Sequence, residues 1–321
     1  MKKTIGWIVL VTILCVTLLT CVGCGAKDDG RKKIVVTIFP VYDWVMNVLG
    51  DNASDYSVTL LLDSGADLHS YQPTVADIVA VAQADLFLYV GGESDGWVKD
   101  AMKNKKNKSM RTMDLLDLLG DRAKEEEIVE GMAHEEEEEE EGEVEYDEHV
   151  WLSLRNAAYY VRLIKDQIAA IDPDNAEIYE ANAAAYVAKL NDLDARYVAA
   201  RSAARCDTLV FGDRFPFRYL VDDYDLKYYA AYPGCAAELT GFDGYAQLAE
   251  KVNTLDLKVI LKIENSSDDL AKGVRSQTGT KDQKILVLDS LQSATKKEYK
   301  AGRTYLSVME DNLNVLKQAL A

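Results

Sequence analysis

Apolar and β-branched residues run almost unbroken through Lys33-Ile34-Val35-Val36-Thr37-Ile38-Phe39, and Pro40 ends the run. Such a run predicts a strand buried on both faces, the signature of a parallel sheet. A helical stretch follows over Val41 to Leu49. Then come a strand over Tyr56 to Leu62, a loop, a helix over Thr74 to Gln83 and a strand over Asp85 to Val90. Pro73 suits the start of its helix, where its missing N–H is not needed. A helix from Trp97 to Lys103 and a short strand and turn within Met110 to Leu119 complete a β-α-β-α order. From Trp151 the period is helical, and after Asp172-Pro173-Asp174 it continues from Asn175 to Ala203 without Gly or Pro. A helix of that length would span roughly 44 Å, more than one small lobe needs. The α/β alternation then resumes, with strands predicted at Thr208 to Phe211, Lys227 to Ala231, Val259 to Ile263 and Lys284 to Leu288. Helices are predicted from Phe215, over Tyr245 to Val252, over Ser267 to Gln277 and over Thr304 to Leu320.

The expectation is an α/β protein of two lobes, each a parallel sheet flanked by helices, joined by one long rigid helix. The first lobe takes residues 34–172, the linking helix 173–204 and the second lobe 205–321. A chain of 321 residues with 48% hydrophobic content is long enough to pack both.

Ahead of the first lobe, Lys2 and Lys3 precede an apolar run from Ile5 to Val22 that ends at Gly23-Cys24-Gly25. Residues 1–23 read as a secretory signal peptide, with an uncleaved membrane anchor as the alternative. Gly23-Cys24 resembles the bacterial lipobox, although Cys21 stands where Leu is usual. Cys24 is therefore expected to carry lipid, with residues 24–33 as tether, which places the protein outside the cytoplasm on the cell membrane. In such a compartment Cys206 and Cys235 are a possible disulfide.

The formal net charge of −18 argues against nucleic acid as a partner, since binding a polyanion needs clustered Lys and Arg. Fifteen acidic residues lie between Glu125 and Glu148 with no Lys or Arg among them, seven of them consecutive from Glu135 to Glu141. Residues 124–148 are expected to form a mobile acidic loop, either a solvated spacer or a collector of hard cations assisted by His134.

In open parallel sheets, ligands bind outside the carboxyl ends of the strands. The residues just past those ends here are His69, Asp213, Glu264 and Asp289, and His149 opens the segment leaving the acidic loop. Two imidazoles and one or more carboxylates suit a divalent first-row metal, zinc or alternatively manganese. Plainer roles stand beside each carboxylate: Asp213 as a partner of Arg214, Glu264 as an acceptor from loop amides, Asp289 as a helix cap with Ser290. No motif places a nucleophile on an elbow, so no enzyme is expected.

Gly65-Ala66-Asp67-Leu68-His69-Ser70-Tyr71-Gln72-Pro73 and Asp147-Glu148-His149-Val150-Trp151 resemble the two histidine motifs of the zinc- and manganese-binding solute receptors of ABC importers. Ile263-Glu264-Asn265-Ser266-Ser267 and Leu288-Asp289-Ser290-Leu291 are similar to that family as well, and the likeness covers nearly all of the chain past the signal. The resemblance implies a monomeric, lipid-anchored receptor that delivers a divalent metal ion to a membrane permease, with a metal-dependent hydrolase or an adhesin as alternatives. It also implies a third ligand, histidine or glutamate, three residues before a Phe at the top of the second lobe's first strand. Counted from Phe215 that place is Gly212. Asp213 or water is then left to fill it, and Arg214 to neutralise part of the site.

Overall fold

The computed structural model describes residues 30–103, 105–133, 145–235 and 243–321. The signal, Cys24, His134 and the glutamate run lie outside the described residues. Lys32–Ala321 forms one compact unit.

Its first sheet is built from β1 (Lys32–Val36), β2 (Tyr56–Leu60), β3 (Leu86–Tyr89) and β4 (Arg111–Asp114), all parallel, in the order β2-β1-β3-β4. The second repeats that order with β5 (Thr208–Phe215), β6 (Lys227–Pro233), β7 (Val259–Lys262) and β8 (Lys284–Val287), as β6-β5-β7-β8. Strand order thus reverses beside the first strand of each sheet, the position at whose carboxyl side open α/β sheets bind ligands.

Helices cover the sheets: α1 (Phe39–Leu49), α2 (Val75–Ala82), α3 (Val98–Lys103) and α4 (Leu154–Ile171) in the first half, then α5 (Ala176–Ser202). The second half adds α6 (Arg218–Asp223), α7 (Tyr245–Thr254), α8 (Asp269–Gln277), α9 (Lys296–Lys300) and α10 (Tyr305–Ala319). Among the described residues no helix is long and apolar enough to cross a membrane.

The long helix α5 buries Tyr179, Ala183, Tyr186, Leu190, Leu193 and Tyr197, a spacing of alternating fours and threes that makes one narrow stripe. Its tyrosine hydroxyls decide what the stripe packs against. Tyr179 donates to Asp172 at 2.5 Å and Tyr186 to Asp43 of α1 at 2.8 Å, both in the first half. Tyr197 donates to the Met309 carbonyl of α10 at 2.6 Å, in the second. One helix is thereby bonded to both lobes. The main apolar core is likewise continuous, from Ile34 and Phe87 through Trp151 and Tyr186 to Phe211 and Leu316. A smaller cluster around Val210, Ile260 and Val274 fills the far face of the second sheet.

Two expectations shift in the structure. The strand starting at Thr208 runs on to Phe215 because a bulge between Phe211 and Arg214 re-registers it against β6, and the following helix starts only at Arg218. The acidic loop has an ordered neck: Glu125 bridges Tyr146, Glu126 N–H donates to the Glu145 carbonyl at 2.9 Å, and Asp147 N–H donates to the Lys124 carbonyl at 2.8 Å. That neck fixes where the chain enters Asp147-Glu148-His149.

Gly212 in β5 lies against α8, where a Cβ would sit 2.4 Å from the Ala271 Cα. Backbone cannot retreat as a side chain can, so Gly212→Val is expected to destabilise the protein by about 3 kcal/mol. Urea unfolding monitored by circular dichroism reads this as a fall in midpoint at unchanged slope.

Candidate metal centre

His69 sits in a single 3₁₀ turn, Leu68–Ser70, set by two contacts: Leu68 is buried, and the Asp67 carboxylate accepts the His69 N–H at 3.0 Å. His149 is held by a similar device, its N–H donating to Asp147 Oδ1 at 2.8 Å. The next three residues, Val150-Trp151-Leu152, are fully buried, and Ser153 then caps α4. Trp151 extends the anchorage across the lobes, with its indole N–H on the Ser290 carbonyl at 2.8 Å and its own carbonyl accepting from Tyr305 at 2.7 Å.

The two rings meet through their Nε2 atoms, 3.1 Å apart. Each Nδ1 faces a protein oxygen instead: Ser94 Oγ at 2.9 Å for His69, Asp147 Oδ1 at 3.0 Å for His149. Ser94 is placed in turn by Glu148, which accepts its backbone N–H at 2.9 Å. Anchoring one ring nitrogen and aiming the other is how a metal-ligating imidazole is oriented. In a tetrahedral site with Zn–N bonds of 2.0–2.1 Å, two such nitrogens stand roughly 3.3 Å apart. The spacing here is already close to that.

Burial, and then the charge of His149, pushes the His69 pKa down to about 3, so its imidazole is neutral and able to ligate. For His149, burial acts to lower the pKa but the adjacent Asp147 carboxylate outweighs it, and the net direction is up.

Of the three strand-end carboxylates, none joins the histidines. Asp213 is fully buried and accepts from the N–H groups of Arg214 at 2.8 Å and Ile263 at 3.1 Å, tying β5 to the end of β7. Burial raises its pKa. Glu264 accepts from the N–H of Ser290 at 2.7 Å and its hydroxyl at 2.8 Å; burial, and then Asp289, pushes it up to about 7. Asp289 receives Arg303 on both oxygens, at 2.9 and 2.8 Å, and the N–H of Leu291 at 2.9 Å. These bonds shape the loop that carries Gln292 to the histidines. With its amide turned to satisfy its neighbours, Gln292 donates to Asp67 at 3.1 Å, and its oxygen lies 3.2 Å from His149 Nε2.

Gly212 faces α8, away from the cleft. The same three-residue spacing counted from Phe217 ends instead at Arg214, whose guanidinium crosses to Asp67 in the first lobe at 2.6 Å. Burial works against the charge of Asp67, but Arg214 overrides it and holds the carboxyl below its ordinary range.

The side chain that does join the histidines is Cys235. Ligand atoms of His69, His149 and Cys235 all lie within 4.8 Å of one another, the one such group among the described residues. Cys235 follows Pro233-Gly234 at the carboxyl end of β6, and its N–H donates to Glu126 in the neck of the acidic loop at 3.0 Å. A strand-end search extended to β6 would have found it.

The Cys206–Cys235 disulfide is not formed; both cysteines are free. Cys206 precedes β5 and Cys235 follows β6, and because these strands are parallel the two lie at opposite ends of the sheet. Seven strand residues at ~3.3 Å each separate them, far beyond the roughly 7 Å a disulfide can bridge.

Two four-stranded parallel sheets of equivalent order, with a buried imidazole pair beside a cysteine from the second half, define a two-lobed α/β fold. Residues 34–319 match the family described as "ZnuA: Zinc-uptake complex component A periplasmic", and the chain belongs to it. It is 35% identical over 323 residues to the zinc-binding lipoprotein AdcA of Streptococcus pneumoniae, covering 96% of this chain and 60% of that protein's length. The chain thus spans little more than half of that relative. The high-affinity zinc uptake system protein ZnuA of Bacillus subtilis is 31% identical, with 92% of this chain and 90% of that one aligned. The crystal structure of the Zn(II)-bound ZnuA-like domain of the pneumococcal AdcA superposes with a TM-score of 0.69 at 33% identity, covering 91% of this chain and 99% of that domain.

Mass spectrometry of the unreduced chain, alkylated in denaturant, is expected to find Cys206 and Cys235 each carrying one label. A Cys206–Cys235 cross-linked peptide would contradict the strand geometry.

Proposed function

We propose that the protein is an extracytoplasmic receptor that captures a divalent metal ion, zinc before manganese, between its two lobes and hands it to the permease of an ABC importer. Cys24 would carry the lipid that holds it, as a monomer, at the outer face of the cell membrane. The observation that carries this reading is the pair of Nε2 atoms 3.1 Å apart in a buried cleft, each ring fixed through its other nitrogen. The reading draws further support from the family match and from relatives named for zinc binding and zinc uptake.

Nitrogen donors favour zinc over manganese, which prefers carboxylate and carbonyl oxygen. Asp213, Glu264 and Asp289 are engaged with the scaffold, and the Gln292 amide oxygen 3.2 Å from His149 Nε2 is a neutral donor. The proposed part of the three carboxylates is to hold the second-lobe loops around the ion rather than to touch it.

Zinc titration of the chelator-stripped full-length chain in detergent is expected to give tight one-to-one binding that a His69→Ala/His149→Ala double variant loses. Equal binding by the variant would sink the proposal. Asp147→Ala leaves both imidazoles in place but frees the His149 ring, and calorimetry should show zinc affinity 10–100-fold weaker.

A further inference from the structure

We propose that the Cys235 thiolate is the third protein ligand of the captured ion, making a two-histidine, one-cysteine site selective for a thiophilic divalent ion such as zinc. The proposal rests on the metal-capture reading and adds to it the ligand that sets selectivity.

Four observations converge on Cys235. Its sulfur is within 4.8 Å of both Nε2-bearing rings' ligand atoms. A tetrahedral ion with Zn–N of 2.0–2.1 Å and Zn–S of 2.3 Å sets nitrogen and sulfur roughly 3.5 Å apart. Closing the group around an ion therefore takes about 1 Å. Second, the turn is built for this approach: a Cβ on Gly234 would stand 3.2 Å from His149 Cε1 and 2.8 Å from the Phe215 carbonyl, so only glycine lets the chain pass so near the ring. Third, the neighbouring strand end cannot supply the ligand. Arg214 stands there, and a guanidinium remains protonated and has no lone pair to give. It is paired with Asp67 besides. Fourth, the three strand-end carboxylates, Glu264, Asp289 and Asp213, are bonded to Ser290, Arg303, Ile263 and Arg214.

Burial holds this thiol protonated in the free protein, together with the carboxylates that crowd it, Asp147 on the His149 ring, Glu126 on the Cys235 N–H and Glu148 beside His69. With Arg214 paired to Asp67 and both imidazoles ligating as neutral rings, a dication supplies the positive charge that a thiolate here needs. On binding, the Cys235 S–H proton leaves to solvent and the sulfur lone pair forms the metal–sulfur bond, with no change of oxidation state. Soft thiolate favours zinc strongly over manganese.

The test uses the full-length chain in detergent with Cys235→Ser, Cys206→Ser and the double-histidine variant. Zinc should protect Cys235, and not Cys206, from alkylation in the unmutated chain, as peptide mapping will read. The cobalt(II)-loaded chain should show a near-ultraviolet thiolate charge-transfer band that Cys235→Ser lacks and Cys206→Ser retains. Removing even an outer partner of a ligand weakens binding 10–100-fold, so Cys235→Ser should weaken zinc by about 100-fold or more and manganese far less. If zinc binds through the histidines but gives no protection and no charge-transfer band, the cysteine is a bystander and metal capture stands without it. If the unmutated chain binds neither ion, both readings fall. Should Cys235→Ser fail to fold, alkylation of the unmutated chain decides alone.

Discussion

Two imidazole nitrogens brought to 3.1 Å inside a protein is the constraint on which the cleft depends. A buried ring nitrogen without a partner is costly, so besides the hydrogen bond between the rings the surroundings hold each ring by its other nitrogen and by its backbone. Asp67 and Asp147 do this in the same way, each accepting the N–H of the histidine two residues later. Apolar anchors then lock the turns: Leu68 beneath one, Val150-Trp151-Leu152 behind the other. The acidic segment begins and ends in a paired neck, which fixes where the chain enters Asp147 and so where the following ring stands.

Around that centre, two sheets of equivalent strand order present their carboxyl ends, and α5 keeps them in register. The tyrosines of α5 give the helix specificity that apolar contact alone lacks. Each buried hydroxyl must find an acceptor, and the acceptors Asp172, Asp43 and the Met309 carbonyl lie on different elements of both halves. Sliding or rotating the helix would orphan all three at once. This is how one straight element supports a site assembled from loops of both lobes.

Much of the frame was legible from hydrophobic period alone. Every strand and the long helix fell close to where alternation or its absence put them, Asn175 to Ala203 against the observed Ala176–Ser202. The meeting of His69 and His149 was legible too, since strand-end placement and flanking residues agree and the rings approach to 3.1 Å. The places of the other candidate residues were not, for identifiable reasons. A carboxylate after a strand is as able to turn inward onto loop N–H groups as outward to a ligand, and Asp213, Glu264 and Asp289 all turn inward. The bulge in β5 changes which residue faces the cleft, so Arg214 rather than Gly212 reaches it. Pairing the last two cysteines by compartment overlooked that parallel strands put their opposite termini far apart.

Asp67 does two jobs with its two oxygens: one caps the turn that aims His69, the other receives Arg214 from the opposite lobe. The aim of a ligand and the approach of the far lobe therefore share a single carboxylate, and neither can change without being felt by the other. By linkage the free energy passes equally in both directions. Loss of the Asp67 carboxylate would therefore free the His69 turn and unpair Arg214 in one stroke, so local order at the ring and contact between the halves rise or fall together.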